Sequence, residues 1–179
     1  MTWRHKMNQK GIAPLAIVAI IVVAAVVVGV GVLLATRGEG VPGEGEGEGE
    51  GEGIAGASSL DYKCDLTSPT GTLTYRFRAR NIGTANMDIR VDMADIVYIL
   101  SGSQREGWVY VAGQWMSFSD MGYNFDEQWN QYVGSLEQYT GYLSGWTGGE
   151  WSGTFGGITY RIYDIQVNPS LPDSLFRPE

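Results

Sequence analysis

In the stretch TLTYRFRARN, Leu73, Tyr75, Phe77 and Ala79 alternate with Thr74, Arg76, Arg78 and Arg80. A period of two sends successive side chains to opposite faces of a strand, so the stretch predicts a β-strand with one buried face. MDIRVDM repeats the pattern, with Met87, Ile89, Val91 and Met93 set against Asp88, Arg90 and Asp92. SLDYKCDL predicts an earlier strand. GWVYVAGQWMSF reads as a hairpin turning at Ala112-Gly113, and EWSGTFGGITYRIYDIQV as another turning at Gly156-Gly157. One segment changes period. Phe125, Trp129, Tyr132, Val133, Leu136, Tyr139 and Leu143 recur at spacings of three and four, which predicts an amphipathic helix near 124–143. Asn124 and Glu127 offer a capping box at its start.

A different pattern occupies the N-terminal third. Ile12 to Ala35 is 24 residues without a charge. As a helix it spans roughly 36 Å, enough for a hydrocarbon core of about 30 Å, so it predicts a transmembrane helix over 12–35. Arg4, Lys6 and Lys10 precede it and Arg37 follows it. The excess of basic residues before the span places the N-terminus in the cytoplasm and the C-terminal part outside the membrane.

Charge refines this picture. Residues 1–37 carry four Lys/Arg and no acid, residues 38–53 carry six Glu, and residues 54–179 carry eight Lys/Arg against fourteen Asp/Glu. The contributions of +4, −6 and −6 sum to the formal net charge of −8. An acidic outer part argues against nucleic acid as a partner. The tract GEGEGEGEGEG at 43–53 excludes a helix, because glycine costs about 1 kcal/mol per site relative to alanine. It buries nothing and its glutamates repel one another, so it is expected to be a disordered, extended spacer. Gly38–Gly53 would then span about 20–25 Å.

Two resemblances enter here. NQKGIAPLAIVAII resembles the start of archaeal type IV pilin precursors, which carry a class III signal peptide. The resemblance implies a basic leader cut between Gly11 and Ile12, with Pro14 as the early proline of the exposed helix. YRFRARNIGTANMDIRVDM resembles part of the CARDB-type β-sandwich modules of surface proteins, through Asn81, Gly83 and the strand from Met87. That resemblance implies a sandwich and names no ligand.

Candidate chemistry is sparse. The one histidine is His5, in the leader, so histidine-dependent triads and zinc sites have no residue in the outer domain. Glu127, Glu137 and Glu150 offer carboxylates for a hydrolase, but one sequence does not pair them. Asp88, Asp92 and Asp95, or Asp120 with Asp126, lack the spacing of a calcium loop. Arg76, Arg78, Arg80 and Arg90 make a basic stripe. If Arg80 stands opposite Asp88, then Arg76 stands opposite Asp92 and the charges largely match across the strands. Trp108, Trp115, Trp129, Trp146 and Trp151 either fill the core or stack on sugar rings, with Trp146 and Trp151 in the glycine-rich SGWTGGEWSG the most exposed by pattern. The candidate ligand surface is therefore Trp146, Trp151, Arg76, Arg78 and Arg80. Cys64, without a second cysteine, is either a buried thiol or a link between two copies.

Together these patterns divide the chain into a basic cytoplasmic leader (1–11), a transmembrane helix (12–35), a flexible acidic linker (36–57) and an extracytoplasmic domain (58–179). That domain is expected to be mainly β, sandwich-like or α+β, with the one helix. The expected role is structural or recognitive at the cell surface, without catalysis or cofactor. A pilin-like filament subunit and a carbohydrate-binding or carbohydrate-active envelope protein are the alternatives. Lipid through 12–35 and an envelope protein or polysaccharide are the expected partners. Oligomeric state is left open.

Overall fold

Strict alternation over ten residues produces two long paired strands, β1 (Ser59–Ser68) and β2 (Gly71–Arg80). The computed structural model describes residues 54, 56–130, 132, 133, 146, 148–155 and 157–179. The leader, its cleavage point between Gly11 and Ile12, the apolar segment 12–35, the Gly-Glu tract and residues 134–143 of the expected helix lie outside them. No helix among the described residues is long and apolar enough to cross a membrane.

Six further strands follow: β3 (Asp88–Met93), β4 (Ile96–Ser101), β5 (Glu106–Val111), β6 (Gln114–Ser117), β7 (Trp151–Phe155) and β8 (Ile158–Val167). All neighbours are antiparallel, in the order β6-β5-β4-β3-β2-β1-β8-β7. The chain meanders from β1 to β6, and the β7–β8 hairpin returns to the free side of β1. The register places Arg80 opposite Asp88 and Arg76 opposite Asp92, as the charge pattern predicts. The hairpin predicted at Ala112-Gly113 forms there. Both residues have positive φ, 53° and 81°, which suits the twist of a two-residue turn. The second hairpin turns between Phe155 and Ile158.

The expected sandwich is corrected. Among the described residues the strands form one sheet of eight, not two packed sheets. Two-residue turns at 69–70, 94–95 and 112–113, with short connections at 81–87 and 102–105, set each of β2 to β6 beside the strand before it. A sandwich needs longer connections that cross to a second sheet.

One face of this sheet is apolar. Leu60, Tyr62 and Cys64 of β1, Tyr75, Phe77 and Ala79 of β2, Ile89 and Val91 of β3, Tyr98 and Leu100 of β4, and Val109 of β5 are buried in one core. Two helical pieces close over it. The short α1 (Phe118–Met121) follows β6 and ends on Gly122 at φ 77°. Residues 125–130, 132 and 133 are helical, and the Asn124 side chain accepts from the N–H groups of Asp126 (2.8 Å) and Glu127 (3.3 Å). Tyr98 packs its ring against Phe118 and Tyr132 at centroid distances of 5.4 and 5.1 Å. Ile54 and Ala57, assigned to the linker by composition, are also buried in this core, joined by a bond from the Ala57 N–H to the Ile54 carbonyl. The folded domain therefore begins four residues earlier than composition suggests.

Candidate functional site

The opposite face of the sheet carries the arginines. Each is held by a carboxylate, supplied from a neighbouring strand for Arg76, Arg78 and Arg80 and from within β3 for Arg90. Arg76 grips Asp61 with two bonds, Nε to Oδ1 at 2.8 Å and Nη2 to Oδ2 at 2.7 Å. Arg78 and Arg90 share Asp92. Arg80 donates to Asp88 from Nε (3.0 Å) and Nη2 (2.9 Å) and also pairs with Asp173. Arg161 of β8 grips Glu150 at 2.8 and 2.6 Å. The hydrogen bonds and charge of Arg161 hold the Glu150 carboxyl below its usual range, and those of Arg80 do the same for Asp173.

The chain beyond β8 crosses this face as a strap. Asn168 accepts at its side chain from the Ser58 N–H (2.8 Å), tying the strap to the start of β1. Arg90 donates to the Leu175 carbonyl at 2.9 Å. The 3-10 turn Asp173–Phe176 buries Phe176, whose ring lies 4.6 Å from the Arg80 guanidinium. On the strap-covered side Asp88 is 1% exposed, and Ser101 Oγ donates to it at 2.6 Å. Ile99, which points to this face, is fully buried.

The rest of the face is open in two places. At the β1–β8 junction the register slips between Asp61 and Lys63, and Asp164 sits at φ 53°. Such a bulge re-aims side chains. Here it opens a cleft of about 290 Å³ lined by Asp61, Lys63, Arg76, Asp164, Ile165 and Gln166. Lys63 donates to Asp164 at 2.9 Å, and that bond raises the Lys63 pKa. Tyr163 lies alongside, under the Arg161 guanidinium at 4.6 Å. Across the sheet, Trp108 and Tyr110 of β5 and Trp115 of β6 alternate with the core residues Val109, Val111 and Met116, so they stand on the polar face, half-buried. The Tyr110 and Trp115 rings lie 5.3 Å apart.

The residues expected to form one ligand surface are thus divided. Trp146 and Trp151 are half-buried and pack against the apolar core, Trp151 paired with the buried Ile162. Arg76, Arg78 and Arg80 lie on the other face, already engaged by carboxylates. Asp88 and Asp92 serve arginines, and Asp126 pairs with Arg105. Cys64 is buried. Asp61, Lys63 and Asp164 went unnoticed in the sequence, although a signal was present. The apolar positions of β8 shift from the buried Tyr160 and Ile162 to the odd-numbered, half-buried Ile165 and Val167, a phase slip that marks the bulge. Comparison with family models, curated proteins and solved structures returns no match to this chain.

Proposed function

We propose that this chain is a membrane-anchored surface protein whose C-terminal domain recognises a partner outside the membrane. The apolar segment 12–35 is the anchor, the Gly-Glu tract is the spacer, and the leader is cut between Gly11 and Ile12. One observation carries the reading: the buried core takes up the chain at Ile54, the residue directly after the tract. Anchor, spacer and folded domain then follow one another without an intervening segment. The domain's ion-paired face, with its cleft and half-exposed aromatic rings, is the recognising surface.

Protease added to intact cells tests the arrangement. It should cut within the Gly-Glu tract and release a fragment beginning near Ile54. Protection of that fragment until the membrane is permeabilised would overturn the topology. The intact mass of the membrane-extracted chain reads leader removal in the same preparation.

A further inference from the structure

The strand registers align one row of side chains across the polar face: Lys63, Arg76, Asp92, Val97, Tyr110 and Trp115. At one end of this row is the bulge cleft. At the other are the rings of Trp108, Tyr110 and Trp115. Strands lie about 4.8 Å apart, so the five steps from β1 to β6 cover roughly 24 Å. The strap fills the face on one side of the row, where it covers Asp88 and Ile99. The row is therefore a track bounded on one side by the strap, over β3 and β4.

Its charge is nearly balanced, with one positive charge in excess where Arg78 and Arg90 share Asp92. In the cleft Lys63 is matched by Asp164 and Arg76 by Asp61. The side chains of Arg78 and Arg90, which share Asp92, are only 12% and 11% exposed. The rings of the aromatic end carry no charge, and the Glu106 carboxylate, two residues from Trp108 on β5, accepts from the Ser119 hydroxyl. Among the described residues the indole N–H groups of Trp108 and Trp115 and the hydroxyl of Tyr110 have no hydrogen-bond partner, although each ring is half-buried. Such a surface complements a ligand that is uncharged, has flat apolar faces, and is rimmed with groups that both donate and accept hydrogen bonds. Rings with a polar handle suit such a partner. Alternating carboxylates and cations in the cleft suit a run of hydroxyls in the same way.

We infer that this track binds a neutral polysaccharide laid across the strands, its sugar rings stacked on Tyr110 and Trp115 and its hydroxyls held in the cleft by Lys63, Arg76 and Asp164. The inference rests on reading the domain as a recognition domain and names what it recognises.

The test uses the full chain in detergent and a panel of neutral hexasaccharides of glucan, mannan and xylan type, with binding followed by calorimetry. At least one should bind. Trp115→Ala and Tyr110→Ala should each weaken that binding by about tenfold or more, the usual effect of losing a contact in the centre of an interface. Asp164→Asn should weaken it as well. Phe176→Leu, in the strap, should leave it unchanged. Unfolding midpoints of all four variants should be measured, and only those that keep a cooperative transition compared. Absence of binding by every hexasaccharide would overturn the proposal. So would binding indifferent to both aromatic substitutions, or binding confined to acidic glycans or proteins and abolished by salt. Because the assay is done in solution, failure of the predicted membrane topology would leave its outcome untouched, and the reverse also holds.

Discussion

Cys64 lies on the apolar face between Tyr75 and Ile162, 1% exposed, and burial pushes its thiol from 9.0 up to about 11. Between these values the folded state keeps a proton that the unfolded state has released. Stability is whole below pH 9 and falls as the pH rises toward 11, by on the order of 2–3 kcal/mol over the full range. Urea unfolding at pH 8 and pH 11 should therefore show a smaller alkaline loss in Cys64→Ala than in the natural chain. The remaining loss in the variant belongs to buried phenols such as Tyr132, whose burial pushes it up to about 12. A thiol so placed is poorly suited to join two copies. Asp88 poses the complementary case. It is a buried carboxylate whose two oxygens are spoken for by Arg80 and Ser101. Arg80→Ala would leave that charge unpaired, and breaking a buried pair in this way costs about 3–5 kcal/mol. Lys63→Ala removes an exposed partner of Asp164 and should leave the urea midpoint nearly unchanged. Equal losses in the two variants would show that Arg80 does not depend on its burial.

At the scale of elements, the segment before β1 is a working part of the fold. Ile54 is 1% exposed and Ala57 is 7% exposed. A chain beginning at Ser58 should unfold at lower urea than one beginning at Ile54, by about 2–5 kcal/mol, the cost of removing a large buried aliphatic side chain. Identical midpoints would show that Ile54 contributes no packing. The reason composition missed this lies in the residues themselves. Ile54-Ala-Gly-Ala carries no period, so only tertiary contact distinguishes it from the tract it follows. β2 and β3 were legible because one face is dry and the other wet, which prints a period of two on the sequence and fixes register through charge. β4 was not. Its residues Tyr98 to Ser101 are all buried, because the strap covers Ile99 from the polar side. A strand dry on both faces loses its alternation. The cleft was hidden for a related reason. Asp164 is 101 residues from Lys63 in the chain, and only the bulge in the β1–β8 ladder brings it to Asp61 and Lys63.

For the molecule as a whole, the point of attachment matters most. The chain enters the sheet at β1, which is ten residues long and bonded along both sides, to β2 and to β8. The sheet's edges are the short β6 and β7 instead. Asn168 then fastens the far end of β8 to Ser58 at the same point. Tension arriving through the residues before Ile54 therefore pulls along the axis of a central strand. Its ladder bonds on both sides carry that load in shear, many at once, rather than opening one after another as they would at an edge. If the chain is anchored through the residues before Ile54, as proposed, a pull on the domain reaches β1 rather than an edge strand.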